Sequence, residues 1–193
     1  AKMVASSEKA NLDIVVPAAW LHDCVAVAKD SPLRNQASKL AADKACAFLR
    51  KIGYPDTLLD DIRHAIEAHS YSANIVPQTL EAKIVQDADR LDALGAIGVA
   101  RCMLVGGAIG RALYCSDDPV CEQRQPDDKA FTIDHFFTKL LHIGDTMNTD
   151  SATREAKRRT NYMHSFLEQL VRDINAEDFE TLSFAMRREA HSP

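Results

Sequence analysis

At 193 residues, 46% hydrophobic and 26% charged, the chain has an ordinary globular composition, long enough to bury one substantial core and most simply one domain. A net charge of −5 argues against a general nucleic-acid surface, no run of 18 apolar residues suggests a membrane span, and the opening AKMVASSEKANLD lacks the apolar stretch of a signal peptide. Five cysteines without a CxxC spacing indicate neither a disulfide framework nor a zinc knuckle and fit a reducing cytoplasm.

Seven glycines, seven prolines and apolar residues recurring at three- and four-residue steps predict an all-α fold. Asp13 is expected to cap the first main helix, with Pro17 near its start and KDSP closing it. Ser31 and Pro32 read as an N-cap and first helical position, leading LRNQASKLAADKACAFLRKI to a stop at Gly53. A third helix runs from Pro55 to about Ser70. TLEAKIVQDADRLDALGAIGVARCMLVGGAIGRALY reads as two helical pieces, because Gly106 and Gly107 weaken the middle. DDPVCEQRQPDD is a loop, followed by amphipathic helices around 128–142 and 151–174 and a polar tail. No internal repeat or low-complexity linker interrupts the chain.

Three stretches carry chemistry. In VVPAAWLHDCVAVA, His22 and Asp23 stand side by side in an apolar run, where a lone ionised carboxylate costs several kcal/mol unless a cationic side chain, a helix terminus or a metal neutralises it. In KIVQDADRLDALGAIGVA, Asp89 shares a helical face with Val85, Ala93 and Ala96, and Asp92 follows at i+3. A salt bridge to Arg90 or Lys83 is the plainer account of Asp89; two adjacent carboxylates, however, call for a cation between them or for one of them to stay protonated. In IRHAIEAHSYS, His69 continues the apolar line of Ile62 and Ile66 and so points inward, whereas His64 lies nearer Asp60, Asp61 and Glu67. A single inward histidine is usually a satisfied core residue. Three helices each presenting an inward His or Asp make a metal centre the economical reading, since imidazole with carboxylate suits Mn, Fe, Ni or Zn.

The order LHDCV, HAIEAH and DADRLDALGAIG, with DHFFTKLL, TMNT and RTNYMHSFL at their relative spacings, resembles the HD-domain metal-dependent phosphohydrolases over most of the chain, in particular a bacterial branch of small single-domain proteins. The resemblance implies a helical bundle in which a divalent metal (Mn, Ni, Fe or Mg) is held by a first His, the His-Asp doublet and a later Asp. Carried onto this sequence, those are His22, Asp23 and Asp89, with Asp87 orienting the site. The first His of the pattern precedes the doublet, and residues 1–21 hold no histidine. The chain is expected to begin inside the domain, with that helix cut off or disordered; the rival is a loss of the ligand.

A divalent cation on such ligands lowers the pKa of a bound water and screens phosphate charge, so hydroxide can attack phosphorus near neutral pH. Lys29, Arg34, Lys83, Arg90, Arg101 and Lys139 are candidate cations for the other phosphate oxygens, with Lys29 and Arg34 just after the doublet; each is equally an ordinary surface charge. His64 and His69 can hold a second metal or donate a proton to the leaving oxygen. The resemblance implies hydrolysis of nucleoside triphosphates or related nucleotides, cutting between the α and β phosphates. The alternative from another class is a nucleotide-sensing module without turnover. The expected partner is a phosphorylated small molecule, a nucleotide, with neither nucleic acid nor membrane; a homo-oligomer is left open.

Overall fold

The computed structural model of the protein describes residues 1–28, 31–70 and 73–175. Lys29 and the tail after Asn175 lie outside the described residues. The fold is all-α, with α1 (Lys2–Glu8), α2 (Leu12–Leu21), α3 (Ala37–Lys51), α4 (Leu59–His69), α5 (Leu80–Leu91), α6 (Gly95–Ala108), the single turn α7 (Leu141–Ile143) and the long α8 (Asp150–Asn175). Tight turns at Arg34–Gln36 and Asp56–Leu58 lead into α3 and α4, and a π turn at Phe136–Leu140 leads into α7. Among the described residues no single helix is long and apolar enough to cross a membrane.

Helix α4 is the axis of the bundle. Its Leu59, Ile62, Ala65 and Ile66 recur at three- and four-residue steps and are fully buried against α2, α3 and α5. Ala41, Ala42 and Ala45 give α3 a small-residue face that lets it lie close to α4. Helix α8 closes the other side, laying Ala152, Ala156, Met163 and Leu167 over α5 and α6.

Several boundaries differ from the sequence reading. Asn11, and not Asp13, caps α2: its side chain accepts the Asp13 N–H at 2.9 Å, and its own N–H donates to Glu81 Oε1 at 3.0 Å. Pro17 lies inside α2, where its missing N–H leaves the Asp13 carbonyl without a helical donor; the Tyr54 hydroxyl donates to that carbonyl instead, at 2.7 Å. The helix ends at Leu21, short of KDSP, so the doublet stands at its C-terminal end and Asp23 is 80% exposed rather than buried in an apolar run. Ser31 Oγ accepts from the Leu33 N–H, capping a turn, and α3 proper begins only at Ala37. The break between α5 and α6 falls at residues 92–94, not at the glycine pair. Gly95 takes φ +69°, a left-handed conformation that side-chain-bearing residues rarely adopt. Gly106 lies inside α6 and is glycine because the helix runs against Thr132, whose Oγ1 would lie 2.2 Å from a Cβ there. Of the helix expected over 128–142 only residues from Asp134 onward are helical, passing through the π turn at Phe136–Leu140. Asp127 and Asp134 accept backbone N–H groups from Lys129 and Asp127, which holds the preceding segment in turns.

Candidate metal centre

The C-terminal ends of α2 and α4 meet beside the last turn of α5, which brings the partial negative charge of two helix termini to one place. His22 is the C-cap of α2 and His69 the last residue of α4. Each ring is fixed in the same way, by a bond from Nδ1 to the carbonyl three residues earlier: His22 to Ala19 at 2.8 Å and His69 to Ile66 at 2.6 Å. A carbonyl can only accept, so Nδ1 carries the proton in both rings and Nε2 presents a lone pair when the ring is neutral. The two rings stand edge to face with centroids 4.7 Å apart.

Both Nε2 atoms face carboxylates. His22 Nε2 lies 3.6 Å from Asp23 Oδ2 and 3.7 Å from Asp89 Oδ1, and His69 Nε2 lies 3.6 Å from Asp23 Oδ1. One ligand atom from each of His22, Asp23 and His69 falls within 4.8 Å of the others. These separations are too long for hydrogen bonds. They approach the spacing between neighbouring ligands of one cation, about 3.4 Å for a tetrahedron with bonds of about 2.1 Å. Two imidazole nitrogens with carboxylate oxygens, the rings oriented through backbone carbonyls, form a donor set that fits a divalent transition metal better than the oxygen-seeking Mg²⁺.

The electrostatics follow from the same contacts. The Asp89 carboxylate raises His22 above its ordinary value, against the effect of burial. Burial lowers His69, only 7% of which is exposed. For Asp89, burial pulls the carboxyl upward, and the combined attraction of His22, His69 and Arg101 more than offsets it and holds the group below its usual range.

This cluster forms the wall of a cleft of about 560 Å³, lined by Asp23, Asp89, His69, Ser70, the 25–27 backbone turn, Arg34, Ala37, Ser38 and Lys139. That size is within the range of small-molecule sites. Of the expected site residues the structure gathers His22, Asp23, His69 and Asp89 in one group, and Arg34 and Lys139 line the same cleft. His64 and Lys83 are not among the residues lining the cleft. His64 is turned toward the loop before α5, where its Nε2 accepts the Gln78 N–H at 2.9 Å. Arg90 donates to the Thr146 carbonyl and lines a separate hollow with Asn74, Gln86 and Asn148, while Arg101 pairs with Asp92. The charge beside Asp92 is thus a guanidinium. Asp89 is half exposed to the cleft, because α5 ends before Ala93 and Ala96 can flank it.

Asp87 does not touch the histidines. It is fully buried and accepts from both Asn148 and Thr149, tying α5 to the start of α8. Ser38 was not expected at the site. A serine in the first turn of a helix is so common that spacing alone offers no signal for it.

An all-α bundle with a His-Asp doublet facing a second histidine and a later aspartate is the architecture of a known group, and the chain belongs to it: residues 1–94 match the HD domain, and the chain is a member of the HD-domain family. Among its relatives it is similar to YpgQ of Bacillus subtilis, 37% identical over 185 residues, a match covering 94% of this chain and 82% of YpgQ. The crystal structure of YpgQ in complex with ADP superposes with a TM-score of 0.67 at 34% identity, covering 89% of this chain and 79% of that one. An HD-superfamily hydrolase from Bacillus thuringiensis superposes with a TM-score of 0.68 at 36% identity, covering 90% and 80% of the two chains.

Proposed function

We propose that the protein is a metal-dependent phosphohydrolase acting on nucleotides. The observation that carries this reading is the convergence of the two Nε2 atoms with Asp23 and Asp89, while both Nδ1 atoms are committed to backbone carbonyls. His22, Asp23 and Asp89 would hold a divalent cation, with His69 in the same group as a further ligand or as the proton donor to the leaving oxygen. A cation bound there supplies an acidified water and a screen for phosphate charge. The chain's own part is orientation and charge. The Ala19 and Ile66 carbonyls keep the imidazoles in one tautomer and one rotation, and the half-exposed Asp89 opens the cluster to substrate. Arg34, held by a bond from Nη1 to the Val27 carbonyl at 3.0 Å, keeps further N–H groups for a phosphate oxygen.

The nucleotide half of the proposal is supported by the similarity to YpgQ, whose structure holds ADP, and the hydrolytic half by the similarity to an HD-superfamily hydrolase. Nucleoside triphosphates are the first substrates to try, with cleavage between the α and β phosphates. The test is product analysis of purified protein with a panel of nucleoside mono-, di- and triphosphates, in Mn²⁺, Ni²⁺, Fe²⁺ or Mg²⁺ and in chelator. Metal-dependent release of pyrophosphate or phosphate, abolished by His22→Ala, is the expected result. Binding of nucleotide with no turnover in any metal would leave a sensing module as the function.

A further inference from the structure

Ser70, the residue after His69, lines both the cleft of the histidine cluster and a second hollow of about 470 Å³, so the two spaces adjoin. They also share α5. Gln86 lies three residues before Asp89 and Arg90 one after it, and both line the hollow. The cluster and the hollow are thus separated by less than one helical turn, about 5.4 Å, along that helix. One wall of the hollow is apolar, made by Ile75, Val76 and Pro77. The segment that carries them is fixed where it enters α5: the Gln78 N–H donates to His64 Nε2 at 2.9 Å, and Thr79 Oγ1 accepts the Ala82 N–H at 3.1 Å.

The other wall is polar, and its hydrogen-bonding sense is dictated from inside the fold. The Ala68 carbonyl can only accept, so its 2.6 Å bond to Gln86 fixes that side chain with Nε2 inward. Gln86 Oε1 then accepts from Asn148 Nδ2 at 2.9 Å, and the second amide hydrogen of Asn148 goes to the buried Asp87 carboxylate at 2.8 Å. A flipped amide would set oxygen against two acceptors. With both hydrogens committed, Asn148 has only its carbonyl oxygen left to offer, and no donor among the described residues reaches it. Asn148 is exposed where it lines the hollow. On the same wall is Arg90, anchored on the Thr146 carbonyl, whose guanidinium can only donate. A fixed acceptor and a donor beside an apolar wall complement an aromatic ring edge that carries an exocyclic amine next to an unprotonated ring nitrogen. Adenine and cytosine have that edge. Hypoxanthine and uracil have the reverse, an oxygen next to a ring N–H.

Resting on the nucleotide reading above, we propose that this hollow seats the base of the nucleotide, with Asn148 Oδ1 accepting from its exocyclic amine, Arg90 facing the neighbouring ring nitrogen, and Ile75 and Val76 against the ring. The protein therefore prefers adenine and cytosine nucleotides to their keto counterparts. A keto base sets oxygen against oxygen at Asn148 and a ring N–H against the guanidinium, and the relay from Ala68 keeps Asn148 from turning to suit it.

Calorimetric titration of the Mn²⁺-loaded protein with ADP, inosine diphosphate and pyrophosphate tests this, since the two nucleotides differ only along that ring edge and pyrophosphate has no base. Wild type is expected to bind ADP about tenfold more tightly than inosine diphosphate, CDP about tenfold more tightly than UDP, and pyrophosphate more weakly than ADP. Asn148→Ala should bring ADP and inosine diphosphate to within about twofold of each other. Because that change also removes bonds within the fold, Val76→Asn is the second variant: Val76 is 67% exposed, so the metal-free melting temperature should not move, while ADP binding weakens about fivefold and pyrophosphate binding less than about twofold. Equal binding of ADP and inosine diphosphate by wild type, pyrophosphate binding as tight as that of ADP, an undiminished preference in folded Asn148→Ala, or no loss of ADP binding in Val76→Asn overturns the base seat and leaves the nucleotide reading standing. Failure of wild type to bind any of the nucleotides overturns both.

Discussion

Asp87 takes up both hydrogen-bonding groups of Thr149, the backbone N–H at 3.0 Å and the hydroxyl at 2.8 Å, on a single carboxylate oxygen with no solvent exposure. Its other oxygen accepts the Asn148 N–H and side-chain amide, both at 2.8 Å. No cation pairs with it among the described residues; four donors and the N-terminus of a 26-residue helix neutralise it. Asp87→Ala would strand those donors, and we expect it to cost about 3 kcal/mol or more, with or without metal. Thr149→Val, which keeps the backbone donor, should cost about 1 kcal/mol. Urea unfolding of both variants in chelator and in Mn²⁺ measures the pair.

Asp89 is expected to behave in the opposite way. If the cluster binds a cation only in the folded state, stabilisation follows RT ln(1 + [L]/Kd), roughly 2.7 kcal/mol at a hundredfold excess over Kd. The melting temperature of wild type should climb with added Mn²⁺. Asp89→Ala removes a carboxylate that lies half exposed beside His22, a contact of little worth without a cation, so the chelated protein should melt only slightly below wild type while the response to Mn²⁺ collapses. Melts of the two proteins with chelator and with Mn²⁺ check this; a large drop in the mutant under chelator would assign Asp89 to the fold instead.

The two histidines should titrate apart in the metal-free protein. His22, favoured as a cation by Asp89, should have its midpoint above the ordinary 6.5, and buried His69 below it. For His22 the folded value is raised, so its contribution to stability is fully present below about pH 6.5 and fades as pH rises through the folded value. His69 has the reverse sign: the unfolded chain takes up a proton first, so this residue weakens the fold as pH falls below about 6.5. Proton–carbon correlation spectra across pH 4.5–9 would follow both rings, a window of roughly two units either side of free imidazole. Asp89→Asn should bring the His22 midpoint down and leave that of His69 nearly in place.

On α8, Glu155 is held by Arg158, with bonds of 2.7 and 2.8 Å, and by Arg159 at 2.7 Å, which together depress its carboxyl from 4.5 to about 2. Because Arg159 also donates to the Leu91 carbonyl at 2.7 Å, this network fastens α8 to the end of α5. The folded value lies below the unfolded one, so the stabilisation is present above about pH 4.5 and is lost as pH falls toward 2. Glu155→Gln is expected to cost about 1 kcal/mol at pH 7, discounted because Arg158 is largely exposed, and progressively less under acid. Paired melts at pH 7 and pH 3 read the difference.

Much of this was legible in the sequence where a periodic pattern and a chemical type coincide. Ile62, Ile66 and His69 fall on one helical line, and they are buried together. The all-α class followed from the same periodicity, and membership of the HD-domain family from the order of the His-Asp doublet and the later aspartates. Where a helix stops was harder to see. Gly106 and Gly107 have the residue type of a break, yet Gly106 is present for a close approach to Thr132, a long-range fact, while the true break lies at residues 92–94, just before a left-handed Gly95. Asn11 outcompeted Asp13 as a cap because its side chain reaches the N–H two residues on, a choice that composition does not make. Asp87 and Asp89 look alike in DADRL. Two residues along a helix they face different surroundings, and only the arrival of Asn148 and Thr149 from 61 and 62 residues away shows which carboxylate belongs to the fold. His64 and Lys83 had suitable side chains on neighbouring helices; the cleft is lined by other faces of those helices.

The proline inside α2 has a bearing on the other end of that helix. A helix bonded only to itself is nearly featureless along its length, so a neighbour has little to grip but side chains, and small slides or twists meet weak resistance. Pro17 opens one carbonyl in that smooth cylinder, and the Tyr54 hydroxyl enters it at 2.7 Å like a dowel. Both the axial position and the azimuth of α2 are thereby keyed to the connection after α3. His22 and Asp23 stand at the far end of the same rigid rod, five and six residues beyond Pro17, about 8 Å along it at 1.5 Å per residue. The placement of the doublet relative to His69 and Asp89 is therefore governed partly by a joint that touches none of them.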